Sequence, residues 1–170
     1  MRAGQPRQSL SALVRLAVVP HDSGVRQLSN TADEQHYVVN YDDLEVAVCW
    51  RLITRVAIGR VGFVYDGEPM VLPVNCVAID GNIAFRTAGD SMLHNLGEGT
   101  RVAFEADHVD PVAESGWSVL VRGNLWEVVD EAARDRLAAL PTHPWAPGPI
   151  DRWMMIVPTV VSGRSITRHS

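Results

Sequence analysis

Lysine is absent from the 170-residue chain; all fifteen basic residues are arginine. That excludes a lysine Schiff base to pyridoxal phosphate and a phosphate loop of the Walker type, both of which need the ε-amino group. Any anion must be held by Arg, by hydroxyls or by backbone N–H groups, and Arg is the better planar, bidentate partner for a phosphate. Cysteine is scarce. Cys49 and Cys76 lie far apart in apolar surroundings, so neither a CxxC pair nor a disulfide framework is expected, and two buried free thiols point to a reducing, cytoplasmic setting. The six histidines fall at no metal-ligand spacing, so no metal site is expected. "DHVD", Asp107 to Asp110, reads as a solvated strand end. With a net charge of -5, the chain lacks the broad basic surface of a nucleic-acid binder. No apolar run is long enough to span a bilayer.

What is present is a globular composition, 46% hydrophobic, in a length suited to one domain. The first 35 residues read differently from the rest. Their apolar stretch, Leu10 to Val19, is broken by Arg15 and has no clear small-x-small cleavage site, so a signal peptide is not expected there. Residues 1–35 are expected to be a poorly ordered extension and 36–170 the folded domain.

"YDDLEVAVCWRLIT" predicts a helix with Leu44, Val48 and Leu52 on one face and Asp42 or Asp43 as its cap. Then come three apolar runs joined by Asp66-Gly67 and Asp80-Gly81. Asp-Gly between such runs signals a type I′ hairpin, because both central residues need positive φ. "RVAFEADHV" and "GWSVLVRGNLWEVV" are the fourth and fifth strands, with Gly123 at a bulge or bend. "DEAARDRLAAL" is a helix capped by Asp130, "PTHPWAPGP" is irregular, and a last strand runs from Trp153 to about Ile166. Six antiparallel strands with few helices predict a mostly β fold, a small barrel, since closure removes exposed edges.

Two stretches carry chemistry. "MVLPVNCVAI" is apolar on both faces and reads as a central strand, yet holds Pro73, which cannot donate to a ladder, and Asn75, whose amide is costly to bury unpaired. A ladder broken there would free polar groups for a planar ligand; a simple bulge is the alternative. In "IAFRTAGDSML", an apolar strand ends in Arg86 and Thr87 before a turn at Asp90-Ser91 and a short helix. Such an ending suits a bound anion, and it also suits an ordinary strand terminus.

These segments, with "VAFEADHVDPVAESGWSVLVRGNLWEV" and "PWAPGPIDRWMMIVPTVVSGRSI", in this order and spacing resemble the pyridoxamine 5′-phosphate oxidase-like proteins. Those are the FMN-binding split barrels, here in their short actinobacterial form, and the resemblance covers Tyr41 to Thr167. It implies a six-stranded antiparallel split β-barrel with short flanking helices, assembled as a homodimer with FMN at the subunit interface. By the same resemblance, Arg86 would supply charge to the FMN phosphate, and Thr87 and Ser91 hydroxyls. The helix start near Ser91 would add N–H groups and a dipole, with Met92 beside it and Asp90 as helix cap. Leu72, Pro73, Val74 and Asn75 would contact the isoalloxazine ring, and Trp117 and Ser118 would line the cofactor. Where many relatives carry a second cation, this chain has Ser91-Met92-Leu93; either Arg122, Arg60 or Arg164 would compensate from elsewhere, across the dimer being one route, or another ligand would be preferred. Other relatives use a deazaflavin or haem.

No residue is assigned as a general acid or base, since the flavin would carry the redox chemistry. "SGRSITRHS" is not the pattern of a true pyridoxamine phosphate oxidase. Two function classes follow. One is a flavin-dependent oxidoreductase that passes electrons from reduced flavin to a small organic acceptor. The other is a flavin-binding carrier or sensor without turnover. The Pro-rich loop with Trp145 would cover the barrel, with rimming the pocket as the alternative.

Overall fold

The computed structural model describes residues 26–27, 38–140 and 149–169. The Leu10–Val19 stretch, the order of the N-terminal extension apart from residues 26–27, and the loop bearing Trp145 lie outside the described residues. The chain runs β1 (Arg26–Gln27), β2 (Val38–Asp43), α1 (Val46–Ile53), β3 (Ile58–Tyr65), β4 (Glu68–Ile79) and β5 (Asn82–Thr87). After a 3₁₀ turn at His94–Leu96 come β6 (Thr100–Asp110), β7 (Ser115–Glu127), α2 (Glu131–Ala138) and β8 (Arg152–His169). All strand pairings are antiparallel, in the order β1-β2-β8-β5-β4-β3-β6-β7, and β7 closes back onto β8. Six strands, β3 to β8, therefore form the ring, with β2 and β1 added outside β8. This is the mostly β, split-barrel architecture.

The hairpins follow from their turn chemistry. Asp66 and Asp80 sit at φ 51 and 49, each before a positive-φ glycine, which is the type I′ requirement. At Gly123 the β7–β8 register slips, and a Cβ there would lie 2.4 Å from the Val157 carbonyl oxygen. Only glycine fits that bulge. Asp130 caps α2 by accepting from the Ala133 N–H at 2.8 Å.

Along the strands, alternate residues point inward and fill the barrel, among them Val61, Phe63, Ile83, Phe85, Phe104, Val119, Val121 and Ile156. Each fully buried large side chain contributes about 1.5–3 kcal/mol. α1 seals one end through Cys49 and Ile53. A smaller cluster outside the ring packs Ala84 and Trp153 under Leu137 of α2.

Three sequence expectations need correction. Asp42 and Asp43 do not cap α1; they belong to β2, paired with Ser165 and Arg164, and Glu45 stands at the N-cap without a side-chain bond. The buried face of α1 is Cys49 and Ile53, with Leu44, Val48 and Leu52 only half-buried. And β4 is not a central strand: at no residue do its β3 and β5 ladders overlap. It pairs with β3 from Glu68 to Asn75 but with β5 only from Cys76 to Ile79. Pro73 thus stands on a one-sided, edge-like stretch, where a missing N–H costs no ladder bond.

Candidate functional site

The ring opens where β4 and β5 part. Their ladder ends at Cys76 and Phe85. Beyond it, Asn75 stays with β3, opposite Ile58, while β5 stays with β8, with Arg86 opposite Trp153 and Thr87 opposite Arg152. A fork results, with Leu72 to Asn75 on one prong and Arg86 to Thr87 on the other. The two stretches singled out in the sequence therefore meet here. Leu72 and Asn75 are half-buried, Pro73 is exposed, and Val74 points into the barrel.

Strand alternation divides the second prong between two faces. Arg86 lies on the outer face, its guanidinium carbon 5.4 Å from the centroid of the Trp153 ring. That is cation–π distance. Its Nε is buried yet hydrogen-bonds to nothing among the described residues. Thr87 points the other way and is buried. Its Oγ1 donates to Ser91 Oγ at 2.7 Å, and Ser91 Oγ accepts from the His94 N–H at 3.1 Å. Ser91, rather than Asp90, caps the turn. The expected helix is only the three-residue 3₁₀ turn, too short for a macrodipole. Met92 is half-buried and packs against the barrel core.

Three residues beside the turn were not anticipated. Thr87 and Arg152 are direct cross-strand partners, so their side chains leave the same face. A Cβ on Gly89 would lie 3.4 Å from Arg152 Nε, which places the Arg152 side chain over the turn. Arg152 Nη1 donates to Glu127 Oε1 at 3.3 Å, and Glu127 Oε2 lies 3.2 Å from His94 Nε2. His94 Nδ1 is buried without a hydrogen-bond partner among the described residues. Nothing local in "DRW" marks this role. It arises from a strand pairing that joins positions 87 and 152.

Within one chain, the three arginines named as compensators stand away from the turn. Arg60 is held by Glu105 at 2.9 Å and Asp107 at 2.6 Å. Arg164 lies 3.6 Å from Asp43. Arg122 and Arg164 share a surface hollow of about 390 Å³ with Ser118, Leu120 and Ser162. Trp117 is half-buried against the core, while Ser118 faces out into that hollow. Ser118 and Glu127 lie nine positions apart on β7, roughly 30 Å along a strand. Within one chain, Trp117 and Ser118 are not brought to the turn. Among the described residues, no group of three or more His, Cys, Asp or Glu is placed to hold a metal ion. No helix among them is long and apolar enough to cross a membrane.

Comparison with known proteins adds to this geometry. The family model described as pyridoxamine 5′-phosphate oxidase matches residues 45–165. A Mycobacterium tuberculosis relative, the uncharacterized protein Rv0080, is 35% identical over 125 residues, 71% of this chain and 82% of the relative. The structure of the FAD binding protein from Mycobacterium smegmatis is 32% identical, with a TM-score of 0.58, and covers 74% of this chain and 97% of its own. The conserved protein of unknown function DIP1874 from Corynebacterium diphtheriae is 26% identical, with a TM-score of 0.62, over 75% of this chain and 98% of its own.

Proposed function

Because the chain belongs to the pyridoxamine 5′-phosphate oxidase family, we propose that it binds a flavin, FMN, at the fork between β4 and β5. The observation that carries this reading is the fork itself. It sets an Asn amide and a proline-bearing strand edge against an arginine and a pair of hydroxyls. The ring would lie along Leu72 to Asn75, and the phosphate beside Thr87 and Ser91. The donor set suits a phosphate: the Thr87–Ser91 pair holds hydroxyls at a strand end beside Arg152, and Arg86, on the opposite face of β5, keeps a buried Nε without a hydrogen-bond partner among the described residues. A flavin would supply reversible electron transfer. The chain's own residues would hold its tail, orient its ring and exclude water from one face.

The functional class we favour is an oxidoreductase that passes electrons from reduced flavin to a small organic acceptor, in the cytoplasm. A homodimer fits, because Trp117 and Ser118 sit far from the turn of their own chain and could reach a cofactor held by a second copy. A 32% identical relative is named as an FAD binding protein, so FAD is the specific alternative to FMN. Titration of the purified, dialysed protein with FMN and FAD, followed by quenching of flavin fluorescence, decides between them. Light scattering during size-exclusion chromatography gives the oligomer. Quenching at micromolar protein by a dimer supports the proposal. No quenching by either flavin ends it, and the same titration with a deazaflavin or haemin would identify a different ligand. NAD(P)H consumption with added acceptors separates an enzyme from a carrier.

A further inference from the structure

We propose that Arg152 is the second cation for the flavin phosphate, parked on Glu127 until that phosphate arrives; this rests on the flavin reading above. The turn itself offers no second charge, since Ser91-Met92-Leu93 holds none. Arg152 is the guanidinium that the fold delivers instead. It is the direct β-ladder partner of Thr87, and its Nε would lie 3.4 Å from a Cβ built on Gly89, ordinary contact distance that sets the side chain beside the turn.

Its present partner holds it loosely. The Arg152–Glu127 contact is 3.3 Å, long for a charge-assisted hydrogen bond, and the Arg152 side chain is 47% exposed. Exposed pairs of this kind contribute little. A second carboxylate, Asp151, stands off at 3.9 Å from Arg152 Nε, whereas Arg60 is gripped by two carboxylates at 2.9 and 2.6 Å. Glu127 is also tied to the turn from the other side, through His94, whose N–H donates to Ser91 Oγ. Arg152, Glu127, His94, Ser91 and Thr87 therefore form one chain of polar contacts around the turn. A phosphate at the hydroxyl pair competes with Glu127 for the Arg152 fork and leaves the carboxylate to His94.

The test is fluorescence titration of the full chain with FMN and with riboflavin, which lacks the phosphate. Arg152→Ala should raise the Kd for FMN about tenfold or more while leaving that for riboflavin nearly unchanged. Arg152→Lys should fall between, since it keeps the charge and loses the fork. Glu127→Gln should tighten FMN binding, and the gain should vanish in the Glu127→Gln, Arg152→Ala double variant. Where Arg152→Ala fails to fold, Arg152→Lys and Glu127→Gln carry the test. Wild-type and Arg152→Ala proteins that bind FMN equally would overturn the assignment and leave the flavin reading intact. Equal loss of FMN and riboflavin would overturn it too, because Arg152 would then act on the fold. A wild-type protein that binds neither removes both.

Discussion

Replacing Arg86 by Met separates a residue kept for a ligand from one kept for the fold. Met retains an apolar stem beside Trp153 and removes the guanidinium. On the stability side, the lost cation–π contact, at 5.4 Å, costs about 0.5–2 kcal/mol. Against this, the buried Nε has no partner among the described residues, and relieving an unsatisfied buried donor returns about 1–3 kcal/mol. A sulfur–aromatic contact to Trp153 adds about 0.3–1.5 kcal/mol. The terms nearly cancel or favour the variant. At roughly 2–4 °C per kcal/mol for a chain of this size, the melting temperature of the ligand-free protein should hold or rise by a few degrees. Flavin binding goes the other way. Losing a charge-assisted hydrogen bond of about 1.5–3 kcal/mol raises the Kd for FMN about 10- to 150-fold. Differential scanning fluorimetry and fluorescence titration on one preparation measure both. A steep fall in melting temperature with unchanged FMN affinity would refute the reasoning and make Arg86 a structural residue.

Ser91→Ala should cost about 0.5–2 kcal/mol in urea unfolding, because it removes the cap on the His94 N–H and the acceptor of Thr87 Oγ1. Gly123→Ala should destabilise by about 1–3 kcal/mol, since the new methyl would lie 2.4 Å from a backbone oxygen that cannot rotate away. Both thiols should resist Ellman's reagent at pH 8 in the native protein and react in denaturant. Burial pushes Cys76 up to about 11 and also raises Cys49. A thiol whose folded pKa exceeds its unfolded value near 9 stabilises the fold below that value. Urea midpoints should therefore fall as pH rises from about 9 through 11, and this alkaline loss should shrink in Cys76→Ser.

Features encoded within a few residues were legible. Both Asp-Gly turns, the Gly123 bulge and the Asp130 cap rest on local conformational rules, and the structure follows them. Features that depend on distant pairing were not. β2, with Asn40, Asp42 and Asp43, has poor strand composition and is a strand because residues 164–169 pair with it. The same pairing took Asp42 and Asp43 away from α1. The site shows the same split. Its two segments could be picked out from Pro73, Asn75, Arg86 and Thr87, yet the opposite faces of Arg86 and Thr87 follow only from alternation along β5. Arg152 was invisible because its neighbourhood is made by β8, far along the chain.

Pro73 links the fold to the site. A continuous β4–β5 ladder would need an N–H at every second position along that edge, and proline withholds one. The ring parts instead at Cys76 and Phe85, leaving two strand edges that face each other across the fork. Unpaired edges are normally a hazard, blunted by charge or by cover. This one carries apolar side chains, with Val71 65% exposed and Met70 and Leu72 half-buried. Proline blunts it at Pro69 and Pro73, but no charge covers the apolar side chains between them. A planar ring with polar rims suits the fork, and the neighbouring apolar edge suits a second copy of the chain. If Trp117 and Ser118 serve the proposed cofactor, the roughly 30 Å between Ser118 and Glu127 along β7 asks for a second copy as well. Ligand and dimer would then be two parts of one solution to an opened barrel, and a monomer binding FMN at full strength would break that link.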